Sequence, residues 1–175
     1  MLAVFCLVSC VNDMELVRKF IDVETEPDMV AVSVEVHYTD SARLQMRMIT
    51  PLVKQFNTVA EQRDEYPEGL HVWFYEKNGE LKGEVSANWA KYDKILELWE
   101  AQSDVVLINA QGQRLETEQL FWDTQKATVY TDKYTKITGP DGTVATGNTF
   151  TAKQDFSEWR LSRGRATIIM KDEED

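Results

Sequence analysis

The chain has almost no cysteine where a folded body would use it. Both thiols, Cys6 and Cys10, lie in the N-terminal apolar stretch, which leaves the remainder without a disulfide or a cysteine-based metal site. A body free of cysteine is compatible with an oxidising compartment but does not prove one. Histidine is equally sparse. His37 and His71 are far apart in sequence, on strand faces that read as exposed, so neither a histidine metal site nor a His-dependent triad is supported. The eight glycines fall mostly at turns, and none builds a phosphate-cradling loop. Basic residues are few: 19 Lys and Arg stand against 30 Asp and Glu, for a formal charge of −11. Cations so scattered cannot track a nucleic-acid backbone, although a local basic rim could still hold an anion. Nothing in the sequence calls for a cofactor or an enzyme.

No apolar run is long enough to span a bilayer, which takes roughly 20 residues. The longest, Met1 to Val11, instead matches the apolar core and cleavage end of a secretory signal. Its Leu7-Val8-Ser9-Cys10 resembles a bacterial lipobox, in which Cys10 would be acylated and become the mature N-terminus; no Lys or Arg precedes the run. A buried N-terminal strand is the other reading. Residues 1–10 are thus assigned to a signal and lipobox segment, and residues 11–28 to a polar, acidic, partly helical tether ended by Pro27.

What the chain does have is alternation. Val30, Val32, Val34, Val36 and Tyr38 are expected on one face of a strand, followed by a turn at Thr39-Asp40-Ser41 and a return through Leu44, Met46 and Met48. Residues 57–69 read as a charged loop. Leu70, Val72 and Phe74 open a second hairpin, whose turn Asn78-Gly79 tolerates positive φ at both positions. Its return strand ends near Ala87. Further strands are expected at Ile95–Ala101, Val105–Ile108, Arg114–Leu120, Ala127–Thr131 and Tyr134–Thr138. A final hairpin is expected from Glu158–Ser162 and Arg165–Met170.

The strand Leu115–Asp123 has echoes on both sides at a spacing of about thirty residues, a period that signals stacked supersecondary units. Each copy sets an apolar residue two places before a small one: Met48/Thr50, Val85/Ala87, Leu115/Thr117 and Val144/Thr146. The fold class expected is all-β: a sandwich, jelly roll or solenoid, with stacking favoured by the repeat.

Several segments in order resemble LptC, the periplasmic component of the lipopolysaccharide export machine, and its OstA-like relatives. They are Pro67-Glu68-Gly69-Leu70, Tyr75-Glu76-Lys77-Asn78-Gly79, Ala87-Asn88-Trp89-Ala90-Lys91-Tyr92, Leu98-Trp99-Glu100-Ala101, Val105–Gly112, Leu115–Asp123 and Tyr130-Thr131-Asp132-Lys133. The similarity covers roughly Val30 to Ile169. It implies an open, twisted β-jelly roll, a U of stacked antiparallel strands over residues 29–171, with an acidic tail at 172–175. It also implies that the apolar interior binds the acyl chains of lipopolysaccharide. The chain would receive them from inner-membrane ABC transporter subunits and pass them to an LptA-like bridge protein, at the periplasmic face of the inner membrane. Many relatives carry a transmembrane helix at the N-terminus, where this chain has Cys10.

The lining so implied comprises Val32, Val34, Val36, Leu44, Met46, Met48, Val72, Phe74, Val85, Ala87, Trp99, Leu107, Leu115, Val129, Ile137 and Phe150. On alternation alone the same residues would simply form a core. Arg160, Arg163, Arg165 and Lys153 are the densest basic group, either a phosphate rim or a solvated turn. The run Thr167, Ile168, Ile169 and Met170 is expected to offer a free strand edge to the bridge protein, with the edge near Met29–Tyr38 facing the transporter. The competing reading is a β-rich surface lipoprotein that binds carbohydrate or protein over a closed core.

Overall fold

The computed structural model describes residues 26–58, 61–154, 158–162 and 164–167. All regular structure among them is β, in one 14-stranded antiparallel sheet. The strands are β1 Met29–Asp40, β2 Arg43–Asn57, β3 Gln62–Tyr66, β4 Leu70–Tyr75, β5 Leu81–Ala87, β6 Trp89–Asp93 and β7 Leu98–Asn109. They continue with β8 Arg114–Asp123, β9 Thr128–Thr131, β10 Thr135–Thr138, β11 Val144–Gly147, β12 Thr149–Lys153, β13 Trp159–Ser162 and β14 Arg165–Thr167.

A single line of bends folds this sheet on itself. Where the chain reaches the line it breaks into two strands, as at Asn88 between β5 and β6, or bends within one, as at Ser103 and Asp104 of β7. Both of the latter hold left-handed φ, and the ladder to β8 slips there. Asn88 braces the line, its N–H donating to Ser103 O at 2.9 Å and its Nδ2 to Asp104 Oδ2 at 2.8 Å. The first arm then contains the distal part of β1, the first part of β2, β4, β5, the second part of β7, the first part of β8, β10, β11 and β14. The second arm contains the remaining parts of β1, β2, β7 and β8 together with β3, β6, β9, β12 and β13. The arms face each other across two apolar clusters, joined by Val85, which packs against both.

The structure corrects five expectations. Ser33 lies in the left-handed region opposite Pro51, which cannot donate to a ladder, and alternation slips there on both strands. The inward side chains of β1 are therefore Ala31, Val34 and Val36. Val32 is 71% exposed and off that face, so it leaves the expected lining.

The fourth copy of the repeat is likewise out of phase. Ala145 faces Ile137 and Gly147 faces Thr135, so Ala145/Gly147, not Val144/Thr146, matches Leu115/Thr117. Gly147 fits because a Cβ there would lie 2.5 Å from Leu161 Cγ. The last two strands are not a hairpin: β13 pairs with β12 and β14 with β11, in opposite arms. Finally, the charged stretch read as a loop contains β3, and Ile95 and Leu96 lie at an exposed turn before β7.

Candidate lipid-binding interior

Cross-strand partners share a face, so the registers trace continuous rows across each arm. In the first arm one inner row runs Val36, Met48, Val72, Val85, Leu107, Leu115, Ile137, Ala145, with each neighbour a direct ladder partner. Ala145 in turn pairs with Ala166 of β14. One apolar rung thus crosses the arm from edge to edge. Three repeat copies, Met48, Val85 and Leu115, lie on it.

A second row nearer the bend carries Val34, Thr50, Ala87, Thr117, Thr135 and Gly147, with Val105 opposite Thr117. Small residues stand there because the backbone turns away from the arm. Their hydroxyls also satisfy carbonyls that the turn takes out of the ladder. Thr50 Oγ1 donates to Gly69 O at 2.8 Å, Thr117 Oγ1 to Tyr134 O at 2.9 Å, and Thr135 Oγ1 to Lys133 O at 3.1 Å.

The second arm presents Tyr92, Trp99, Trp122, Val129, Ala152 and Trp159 as one row, and Tyr66, Ala90, Ala101 and Leu120 as another. Phe150 and Leu161 continue the latter side of the wall. Trp99 stacks on Tyr92 at 4.7 Å and on Tyr66 at 5.7 Å between ring centroids. This wall was legible only in part: Val129, Phe150 and Trp99 were expected in it, whereas Tyr66, Leu120 and Trp122 were not. Trp122 stood in the sequence as one of two consecutive aromatics, and only the register decides that it, and not Phe121, points inward. Phe121 stacks on Tyr130 on the outer face, 5.2 Å between centroids.

Polar chemistry is kept almost wholly outside. Arg47 and Glu116, on the outer faces, pair with Glu35 at 2.7 Å and Lys136 at 3.4 Å. Burial alone would raise Glu100, but hydrogen bonds from Gln102, Gln119 and Lys91 hold its carboxyl below the ordinary range. Apart from the threonines of the bend, the inner exception is Asp64, beside Tyr92 on the second arm, with Lys94 Nζ 2.7 Å from its Oδ1. Burial, followed by the charge of Asp64, pushes the Tyr66 phenol well above its ordinary value, so it stays protonated in any physiological medium.

The interior is not uniform from edge to edge. Towards β10–β12 it is filled: Val105 and Thr135 are 0% exposed and Phe150 2%. A pocket of about 20 Å³ lies among Leu107, Asn109, Gln113, Leu115, Ile137, Phe150 and Trp159. That holds one water at most, not an acyl chain. Towards the mouth, by contrast, Leu44, Met46, Phe74, Val85, Trp99 and Trp122 are half-buried. The arms meet here through Phe74 of the first and Trp122 of the second, edge to face at 6.0 Å. Trp122 Nε1 is steadied by Gln154 Oε1 at 3.3 Å.

The basic group expected near the C-terminus does not converge. Arg160 stands opposite Thr151 on one arm, Arg165 opposite Thr146 on the other, and Lys153 is engaged by Glu158 at 2.7 Å. Arg163 lies outside the described residues, as do Cys10, the tether to residue 25, and Ile168, Ile169 and Met170. Thr167 closes β14, paired with Val144. No helix among the described residues is long and apolar enough to cross a membrane, and no group of side chains there could hold a metal ion.

Comparison with curated proteins finds no match. Comparison with protein families matches residues 3–169, nearly the whole chain, to the family described as lipopolysaccharide-assembly, LptC-related. With the folded all-β sheet and its apolar interior, that match places the chain in a family of transport and binding components rather than enzymes: it belongs to the LptC-related family of lipopolysaccharide assembly.

Proposed function

We propose that this chain is the membrane-anchored periplasmic component of a lipopolysaccharide ABC exporter, and that it holds lipid A acyl chains between its two arms. The observation that carries this reading is the unbroken apolar row from Val36 on β1 to Ala145 beside β14. A conduit requires an apolar row that reaches the edges of the arm, and this one does. Among the described residues both ends lie at strands with one neighbour each, β1 beside β2 and β14 beside β11, and such edges carry backbone groups that another chain can pair with. The β1 edge would receive lipid from the inner-membrane transporter subunits. The β14 edge would pass it to an LptA-like bridge by strand addition. Cys10, acylated, would anchor the chain, and mass spectrometry of the mature N-terminus tests this: an unmodified Cys10 in membrane fractions removes the lipid anchor.

Lipid binding is tested by a photo-crosslinker at Met48, Val85, Leu115 or Val129, each of which should capture lipopolysaccharide. The same probe at Arg47 or Glu116 should not. Equal labelling on both faces means surface adsorption, and no labelling at any position means a sealed core.

A further inference from the structure

The mouth of the first arm ends in an open pocket of about 410 Å³ between the β1–β2 and β4–β5 hairpins, lined by Arg43, Leu44, Tyr75, Glu76, Lys77 and the turn Asn78-Gly79. It is amphiphilic by construction. Leu44 is two residues from Met46 and Tyr75 adjoins Phe74, and Met46 and Phe74 are ladder partners on the inner face. The pocket therefore lies one step beyond the half-buried lining, about 7 Å along the strand.

Its charges are distinctive for this chain. Most described cations face a carboxylate, as Arg47 does Glu35, Lys91 Glu100, Lys94 Asp64 and Lys136 Glu116. Arg43 and Lys77 form no ion pair among the described residues, and Arg43 Nη1 only reaches Lys77 O at 3.4 Å. Lys54, Arg160 and Arg165 are also unpaired, but they stand on outer strand faces. The carboxylate in the lining, Glu76, is matched by Lys82 at 3.7 Å. Of the nearby acids, Glu80 accepts from Asn78 Nδ2 at 2.7 Å and Asp40 from Ser41 Oγ at 3.2 Å.

We infer that this pocket is a phosphate subsite for an acylated amphiphile: Arg43 and Lys77 take the phosphate while the acyl chains run inward over Leu44, Met46 and Phe74. A guanidinium and an ammonium on opposite hairpins suit a tetrahedral anion that each can approach from its own side. On a chain of net charge −11, two cations without an ion pair at the mouth of the apolar row attract the anionic end of a lipid there, although Asp40 is the ladder partner of Arg43. The assignment rests on the lipid-binding reading above.

The test uses the full chain in detergent, with bisphosphorylated lipid A and with the same acylated sugar lacking phosphate. Arg43→Ala with Lys77→Ala should weaken binding of the phosphorylated lipid about tenfold and leave the dephosphorylated lipid unchanged. Lys54→Ala with Arg160→Ala, which removes the same charge elsewhere, should change neither. Inorganic phosphate should not displace the lipid; if phosphate alone binds as tightly as lipid A, the site is one for free phosphate and the headgroup assignment is overturned. If wild type binds both lipids equally and the variant matches it, the subsite is wrong and the lipid reading stands. If wild type binds neither, the lipid reading falls and takes the subsite with it.

Discussion

At the scale of single residues, the threonines of the bend are the most exacting feature. Thr50 is buried and its hydroxyl bonds Gly69 O and Leu52 O, at 2.8 and 3.0 Å. Thr50→Val keeps the shape and leaves those carbonyls short of a donor, so it should cost about 1–3 kcal/mol in denaturant unfolding. Thr149→Val, exposed on β12, should cost under about 0.5 kcal/mol. Glu100 sets an acid limit. Its carboxyl is held below the ordinary value, so its contribution is present above the unfolded pKa, about 4.3, and is lost as pH falls through the folded one. Glu100→Gln should therefore lower stability at neutral pH and flatten the decline between about pH 5 and 3; an unchanged slope contradicts this. Residue identity on the faces was legible wherever alternation persisted, as at Met46, Met48, Val72 and Phe74. It failed at Val32, because a left-handed Ser33 moves the phase and nothing in Ser-Val-Glu marks that conformation.

At the scale of elements, hairpins were legible and bends were not. The hairpin turns at Asn78-Gly79 as expected, but only Gly79 takes positive φ, +88°, with open space where a Cβ would stand, and its N–H donates to Glu76 O at 2.8 Å. Gly69 has a similar φ, +83°, but its Cβ would lie 2.4 Å from Ala87 O, where two strands cross the bend. Gly79→Ala should therefore cost only the left-handed strain, about 1 kcal/mol, and Gly69→Ala at least about 2 kcal/mol more, read from thermal or denaturant midpoints. Equal costs would mean that the bend yields.

The pairing of β9 with β12, and of β13 with β12 rather than β14, was hidden for a related reason. A segment on either side of the bend has the length and alternation of an independent strand, so the sequence does not say which arm it joins. The charged β3 was missed because its outer face is an ion network: Arg63 bonds Glu65 at 2.7 Å, and also Glu61, and lies over the Phe56 ring at 3.9 Å. Only Asp64 and Tyr66 face in.

At the scale of the whole molecule, the two arms meet at Phe74 and Trp122, and the proposed lipid would have to part them. The Phe74–Trp122 contact opposes this by about 0.5–1.5 kcal/mol beyond its buried area. Ten methylenes of an acyl chain contribute about 8 kcal/mol on burial, offset by the ordering of the chain and the side chains displaced. Opening would begin at the half-buried mouth. The edges carry a second prediction at this scale: Ile168→Pro should abolish capture of the bridge protein while leaving lipid binding intact, and full retention of partner affinity would refute the β14 edge. Closure was not legible in the sequence, since it depends on how closely two arms approach and not on which residues line them.

Locking the arms together decides whether lipid loads between them. Phe74→Cys and Trp122→Cys, in a chain with Cys6 and Cys10 replaced by serine, can be bridged by a bifunctional thiosulfonate and released by reductant. Lipopolysaccharide capture by a photo-crosslinker at Met48 is then measured in each state. Capture should be lost while the bridge is closed and return on reduction; undiminished capture by the bridged chain would contradict the account.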